Sequence, residues 1–348
     1  VPTLDVVIVT WNSEASLPHC LASLAASART RFTFDRIVIV DNASSAAIWP
    51  GQYDGLPAIA LIANDRNRGF AAACNQGAEG SRADYVLFIN PDAVVAPEAL
   101  DRAVAAFDEP SRRHVAAIGL QLVDGRGAPQ ATCGRFLTFR AVFNQLTGLS
   151  LASPRRFRGF RMTDWDHRES REVDYVSAAC TLLRRPVFAE LGGFDEGFTV
   201  YLEDADFALR ARRAGWRSLF LAGAIACHEG GWATGRDRAV RLAHAWRSLL
   251  VYSRKHFDPP RAVTLGLVTL TLAPLARLGE AVTHASGREL VNALAGYVRL
   301  YGLLASDLLR RARDRDGERA REIALDRARD RDLNRDPTPV RDSLRSGG

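Results

Sequence analysis

Along the first half of the chain, short apolar runs alternate with stretches whose apolar residues recur at three- and four-residue spacing. "LDVVIVTW" (Leu4 to Trp11), with its apolar centre Val6 to Val9, reads as a buried strand of the kind found in parallel sheets. "SLPHCLASLAAS" (Ser16 to Ser27) follows with helical spacing and Pro18 near its first turn. Strand-like "RIVIVDNASS" and "AIALIAN", helical "FAAACNQGAEG", strand-like "DYVLFINPD" and helical "PEALDRAVAAFDE" continue the alternation. This order predicts an α/β fold with a mainly parallel central sheet and flanking helices. "HVAAIGLQLVDGRGAPQ" adds a strand and a hairpin signal at Asp124-Gly125.

From Gln130 to Glu172 the periodicity fades and arginine dominates, as in "SPRRFRGFRMTDWDHRESRE", which predicts a loop-rich insertion. Strand-like "VDYVSAACTLLRR", a short helix "PVFAELGG", amphipathic "YLEDADFALRARRAGW", strand-like "RSLFLAGA" and then "IACHEGGWATG" follow. Beyond about Arg236 the pattern turns helical, and "AVRLAHAWRSLLVYSRKHF" leads into "AVTLGLVTLTLAPLA" (Ala262 to Ala276). A bilayer-spanning helix needs about 20 apolar residues. This uncharged run between Arg261 and Arg277 is shorter, which leaves a buried hairpin or core helix and a segment resting on a membrane surface as the two readings. In the tail from Arg310, opposite charges at i,i+3 favour a helix and like charges at i,i+4 oppose it, so no stable isolated helix is expected. Past Asn334 the composition is that of disordered chain. The expected division is a catalytic domain over 1–235, a helical, membrane-associated region over 236–309 and a charged, partly disordered tail over 310–348.

Composition narrows the function classes. The five cysteines are scattered without a C-x-x-C pair, which argues against a disulfide framework or a zinc ribbon and for a reduced, cytoplasmic compartment. The N-terminal residues enter a strand without a basic leader segment, so no signal peptide is expected. Net charge is +6, and Lys255 is the only lysine. Seven basic and three acidic residues between Glu229 and Arg261 suit phosphates or an anionic membrane. No nucleic-acid motif accompanies them, and no nucleic-acid partner is expected.

Ligands of open parallel sheets bind beyond the carboxyl ends of the strands, where Asp41 and Asp92 close two of the predicted strands. A dinucleotide site would need a glycine-rich turn after the first strand; "TWNSEAS" stands there, and the first glycine of the chain is Gly51. A diphosphate can instead be neutralised by a divalent cation, Mg2+ or Mn2+, held by a carboxylate such as Asp92 in Asn90-Pro91-Asp92. His228 offers a further ligand or a proton donor, with a structural role equally open. Glu203, Asp204 and Asp206 open a helix, where the dipole favours acids in any case. A helix start and a catalytic base are both consistent with them.

Six motifs, "VVIVTWNS", "VDNASS", "NRGFAAACNQG", "FINPDAVV", "GGFDEGF" and "YLEDADFALRARRAGW", occur in the order found in family 2 glycosyltransferases, and the first 230 or so residues resemble that family. "NPDAVV" and "LGGFDEGFTVYLEDADF" are most similar to its rhamnosyltransferase-like branch. The resemblance implies a GT-A nucleotide-sugar fold and an inverting, metal-dependent transfer from a nucleoside-diphosphate sugar, dTDP-rhamnose first and a UDP-hexose next. The expected acceptor is a glycan or a polyprenyl-diphosphate-linked sugar in cell-envelope synthesis; the Arg-rich insertion Arg155 to Arg171 and the basic patch around Arg236 to Arg261 suit such an anionic acceptor at the inner membrane face. The resemblance also implies roles: Thr10 and Asp41 hold the nucleotide base and its sugar, while Asn67, Arg68 and Asn75 line the nucleotide-sugar. Asp92 matches the last acid of the D-x-D metal motif, whose first position is Asn90 here. Asp204 matches the general base, with Glu203 orienting the acceptor and Asp206 pairing with Arg210. Against this stand a non-catalytic module that retains the fold and a membrane scaffold built on the C-terminal region.

Overall fold

The computed structural model describes residues 1–49, 51–153, 155–162, 164–228, 238–276 and 290–307. Contacts divide the chain into two units, Val1–Arg299 and Leu300–Gly348. Of the second, residues 300–307 are described and helical; the predicted charged tail from 310 lies outside the described residues.

The apolar runs form the parallel block. Strands β1 (Thr3–Thr10), β2 (Thr33–Asp41), β3 (Ile59–Ala63) and β4 (Tyr85–Ile89) lie in the order β3-β2-β1-β4, all pairings parallel. In β1 every residue from Leu4 to Thr10 is buried, as expected of a strand covered on both faces. Leu4, Val6 and Ile8 pack with helices α1 (Leu17–Ala25) and α3 (Ala99–Asp108) in one core. Val7 and Val9 pack on the opposite face with α2 (Phe70–Ala78), α6 (Arg185–Glu190) and α7 (Glu203–Arg213).

Beyond β4 the sheet is mixed. Strand β10 (Cys180–Arg184) runs antiparallel between β4 and β6 (Val115–Val123), and β11 (Arg217–His228) returns parallel to β6. Short β5 (Ala93–Val95) and β8 (Arg171–Val173) pair antiparallel with β11, and β7 (Cys133–Gly134) pairs with β9 (Tyr175–Val176) in a separate ribbon. Two reversals, at β10 and β6, bring β11 into the same direction as β1, β2 and β4. His228 therefore ends on the edge that carries Thr10, Asp41 and Asn90. A tight turn at Gly215 joins α7 to the start of β11, which puts the head of α7, with its acids, at that same carboxyl edge.

The arginine-rich insertion is not all loop. It holds α4 (Phe139–Leu146) and the one-turn α5 (Leu149–Ala152); Val142 and Leu146 are buried, and Thr138 caps α4 by accepting from the Ala141 amide at 3.2 Å. Exposed Arg140 and buried Asn144 interrupt the apolar spacing of α4 in the sequence. The apolar run after 262 is α9 (Pro259–Leu270), which follows α8 (Arg238–His256) and buries Leu265 and Val268 while leaving Val263 and Leu267 exposed. Among the described residues no helix is long and apolar enough to cross a membrane.

Candidate active site

Parallel register sets Thr10 beside Asp41 at the strand ends. Thr10 is buried, and its Oγ1 has no hydrogen-bond partner among the described residues. Asp41 accepts from the Ser44 amide at 3.0 Å. Behind them Asn42, which the motif reading passed over, is a buried hub: its amide donates to Asn67 Oδ1 at 3.0 Å and to the Gly69 carbonyl at 3.2 Å, and its Oδ1 accepts from the Arg68 amide at 2.9 Å. Asn67 thus spends its carbonyl on shaping the 67–70 loop, while the Arg68 side chain is exposed at its rim. Gly69 has φ +89°, and a Cβ there would lie 2.8 Å from the Thr199 carbonyl, so only glycine permits this approach. The Phe70 amide donates to the same carbonyl at 2.6 Å.

Asn75 lies apart from that cluster. Its amide donates to the Phe194 carbonyl at 2.8 Å and its Oδ1 accepts from the Phe194 amide at 2.9 Å, clamping the turn that follows α6. Gly192 and Gly193, both at positive φ, end α6 and make that turn.

Asp92 and His228 face each other across the β5–β11 pairing, with Asp92 Oδ1 3.3 Å from His228 Nε2. Gln130 holds the imidazole from behind, its Oε1 3.2 Å from Nδ1 while its amide donates to the His228 carbonyl at 2.7 Å. A carboxylate oxygen and an imidazole nitrogen meeting at a strand edge are a donor set that fits Mn2+ or Mg2+ completed by phosphate oxygens and water. Among the described residues no group of three or more His, Cys, Asp or Glu side chains is arranged to hold a metal by itself.

Tyr201 (φ +68°) and Leu202 (φ +67°) are consecutive non-glycine residues in the left-handed region, immediately before Glu203 and Asp204. Asn12 and Ala43, just past β1 and β2, share this conformation, so four of the five such residues in the described chain sit beside the candidate site. Strain of this kind persists where surrounding structure enforces it and gathers at functional sites. No sequence signal announces it, because glycine is the residue that usually marks such positions.

The two acids behind this strained step differ. Burial pushes the Glu203 carboxyl well above the usual range, and the neighbouring Asp204 charge pushes it further; among the described residues its Oε2 is buried without a partner. Burial also raises Asp204, but amides of Ala205 (2.7 Å) and Ala178 (3.3 Å) donate to its carboxylate and hold it at about 6. Surroundings that raise Glu203 while amide donors restrain Asp204 set the two carboxyls apart, as an acid and a base require. Ala179, next in the chain to Ala178, accepts from the Asn90 amide at 2.8 Å, so the head of α7 and the Asn90-Pro91-Asp92 turn lean on one short segment.

Acids and a strand-end threonine gathered on the carboxyl edge of a parallel sheet, without a glycine-rich phosphate loop, are the features of a GT-A glycosyltransferase. The match to the Glycosyl transferase family 2 model over residues 5–192 places the chain in that family, to which it belongs. It is 27% identical over 262 residues to the N-acetylglucosaminyl-diphospho-decaprenol L-rhamnosyltransferase of Mycobacterium tuberculosis, covering 72% of this chain and 83% of that protein. It is 29% identical over 245 residues to the O-antigen biosynthesis protein RfbC of Myxococcus xanthus, covering 68% of this chain and 18% of that protein. Among solved structures, the mannosyltransferase PcManGT from Pyrobaculum calidifontis in complex with GDP-Man and Mn2+ is similar at 18% identity and a TM-score of 0.47, covering 88% of this chain and 80% of that one.

Proposed function

We propose that this glycosyltransferase moves a sugar, with inversion, from a nucleoside diphosphate to a hydroxyl of a lipid-linked glycan in cell-envelope polysaccharide synthesis, with residues 1–235 carrying the chemistry. Asp204 takes the proton from the acceptor hydroxyl, whose oxygen attacks the anomeric carbon as the bond to the diphosphate breaks on the opposite face. The observation that carries this reading is the geometry at the sheet edge, where a strained left-handed step leads into buried Glu203 and into Asp204, whose carboxylate accepts from the Ala205 and Ala178 amides. Base assistance of this kind is worth about 10²- to 10⁴-fold. Thr10 and Asp41 receive the nucleoside, Arg68 reaches the donor from the rim, and Glu203 donates a hydrogen bond to the acceptor. Asp92 and His228 would hold a divalent cation, which when bound offsets charge on the leaving diphosphate.

L-rhamnose from dTDP-rhamnose is the first choice of donor and a UDP-hexose the second. Support for the former, and for a lipid-linked acceptor, comes from the name and similarity of the mycobacterial relative. Support for an anionic membrane surface as the acceptor's location comes from α9, where exposed Val263 and Leu267 follow exposed Arg261, with exposed Arg254 near the end of α8.

Thermal-shift titration with dTDP-rhamnose, UDP-glucose, UDP-galactose and UDP-N-acetylglucosamine, each with Mn2+ and with EDTA, tests the reading, since a ligand of the native state raises its apparent stability. A metal-dependent shift with one nucleotide-sugar identifies the donor. No shift with any of them counts against nucleotide-sugar transfer and favours a retained, inactive fold.

A further inference from the structure

The third acid of "EDADF" does more than begin a helix. Asp206 is fully buried and collects three nitrogen partners: Arg210 Nε at 2.8 Å, Lys255 Nζ at 2.7 Å and His256 Nε2 at 2.7 Å. Burial acts to raise its pKa, but the hydrogen bonds from His256, Lys255 and Arg210 outweigh that and hold it at about 2. Arg210 then spends its other two nitrogens on the Leu191 carbonyl at 2.6 Å and the Gly193 carbonyl at 2.7 Å, the two carbonyls of the turn after α6. Lys255 also reaches Asp195 Oδ2 at 2.5 Å.

The same helix, α8, grips the other end of the loop. Arg247 donates to Thr199 Oγ1 at 2.9 Å and Ser248 donates to the Val200 carbonyl at 2.7 Å. Those residues immediately precede the left-handed pair Tyr201 and Leu202. Residues 191–202, which lead into Asp204, are thus held by the sheet side through Asn75 and Phe70 and by α8 through Arg247, Ser248 and Lys255.

We infer that α8 is a positioning strut for the base: Arg247, Ser248, Lys255 and His256 act through the 191–202 loop and Asp206 to hold Asp204 in its working geometry, so part of the region predicted as a C-terminal extension belongs to the catalytic apparatus. These residues touch no reacting atom. The inference rests on Asp204 as the base. A strut of this kind raises kcat and leaves donor recognition, which belongs to the Thr10–Asp41 edge, unaltered.

The test uses the full chain with Mn2+ and the nucleotide-sugar selected by thermal shift. Lys255→Met and Ser248→Ala are each expected to lower kcat for transfer, by up to about 100-fold for the former, since small misplacement of a reacting group costs that much. Donor Kd from titration is expected to stay within twofold, and Lys255→Arg to restore most of kcat. Ser248→Ala, a smaller change, serves if Lys255→Met does not fold. Unchanged kcat in these variants while Asp204→Asn is inactive overturns the strut and leaves the base reading standing. Loss of donor binding in step with kcat also overturns it, since the contacts then merely maintain the fold. Full transfer by Asp204→Asn overturns both.

Discussion

At the scale of single residues, neighbouring acids of one motif are given different protonation by what surrounds each. Asp204→Asn is expected to lower transfer by about 10²- to 10⁴-fold while donor binding persists, measured by kcat and by titration. With Asp204 as the proposed base, acting as an anion and held at about 6, kcat should rise with pH through about 6 and level off above it. Asp206 carries the opposite sign. Its pKa is depressed to about 2, so the stability it contributes is fully present above the ordinary carboxylate value of about 4 and is lost as pH falls from there through about 2. Acid unfolding of Asp206→Asn should lack that component, and the variant should be less stable at neutral pH, by about 3–5 kcal/mol as is typical when one partner of a buried pair is removed. The types and order of the acids were legible in the sequence, as was the pairing of Asp206 with Arg210 one turn on. Lys255 and His256 were not, because they lie 49 and 50 positions away and nothing local in "SRKHF" points to a carboxylate.

At the scale of elements, legibility follows burial. The run that became β4 and the centres of β1 (Val6–Val9) and β2 (Ile37–Val40) are wholly apolar, and helices α1 and α3 carry apolar three- and four-residue spacing, so pattern and structure coincide. In α4 arginine and asparagine interrupt the spacing, and the helix emerges only when Val142 and Leu146 find a core to enter. The paired glycines Gly192 and Gly193 mark the turn after α6, but its second function, fitting Asn75, depends on a contact 118 residues away. A Cβ on Gly193 would meet Asn75 Oδ1 at 2.5 Å at a φ of +72°, so Gly193→Ala should destabilise by about 1–3 kcal/mol and loosen the loop before Asp204. A lower melting temperature together with a reduced kcat would bear this out.

At the scale of the whole molecule, sheet direction does the assembling: Thr10, Asp41, Asp92, His228 and Asp204 come from five separate segments and reach one edge because two strand reversals restore the parallel direction at β11. Asp92→Asn is expected to remove the Mn2+-dependent part of any donor-induced thermal shift while leaving the metal-independent part, read by the same titration with EDTA. The exposed side of α9 gives a prediction of another kind. Val263→Glu with Leu267→Glu should reduce sedimentation with anionic phospholipid vesicles at low salt and leave transfer to a soluble acceptor analogue intact.

The charge network beneath the base also gives the protein a built-in reporter. Its only lysine side chain is the one lodged between Asp195 and Asp206, so a reagent selective for alkyl ammonium groups has one internal target besides the chain terminus. Isotope-labelled methyl groups placed there by reductive methylation would give one internal resonance, set in the contact between α8 and the base helix. As donor and acceptor bind, its shift and width would follow the order of the loop in real time, without a mutation anywhere in the chain.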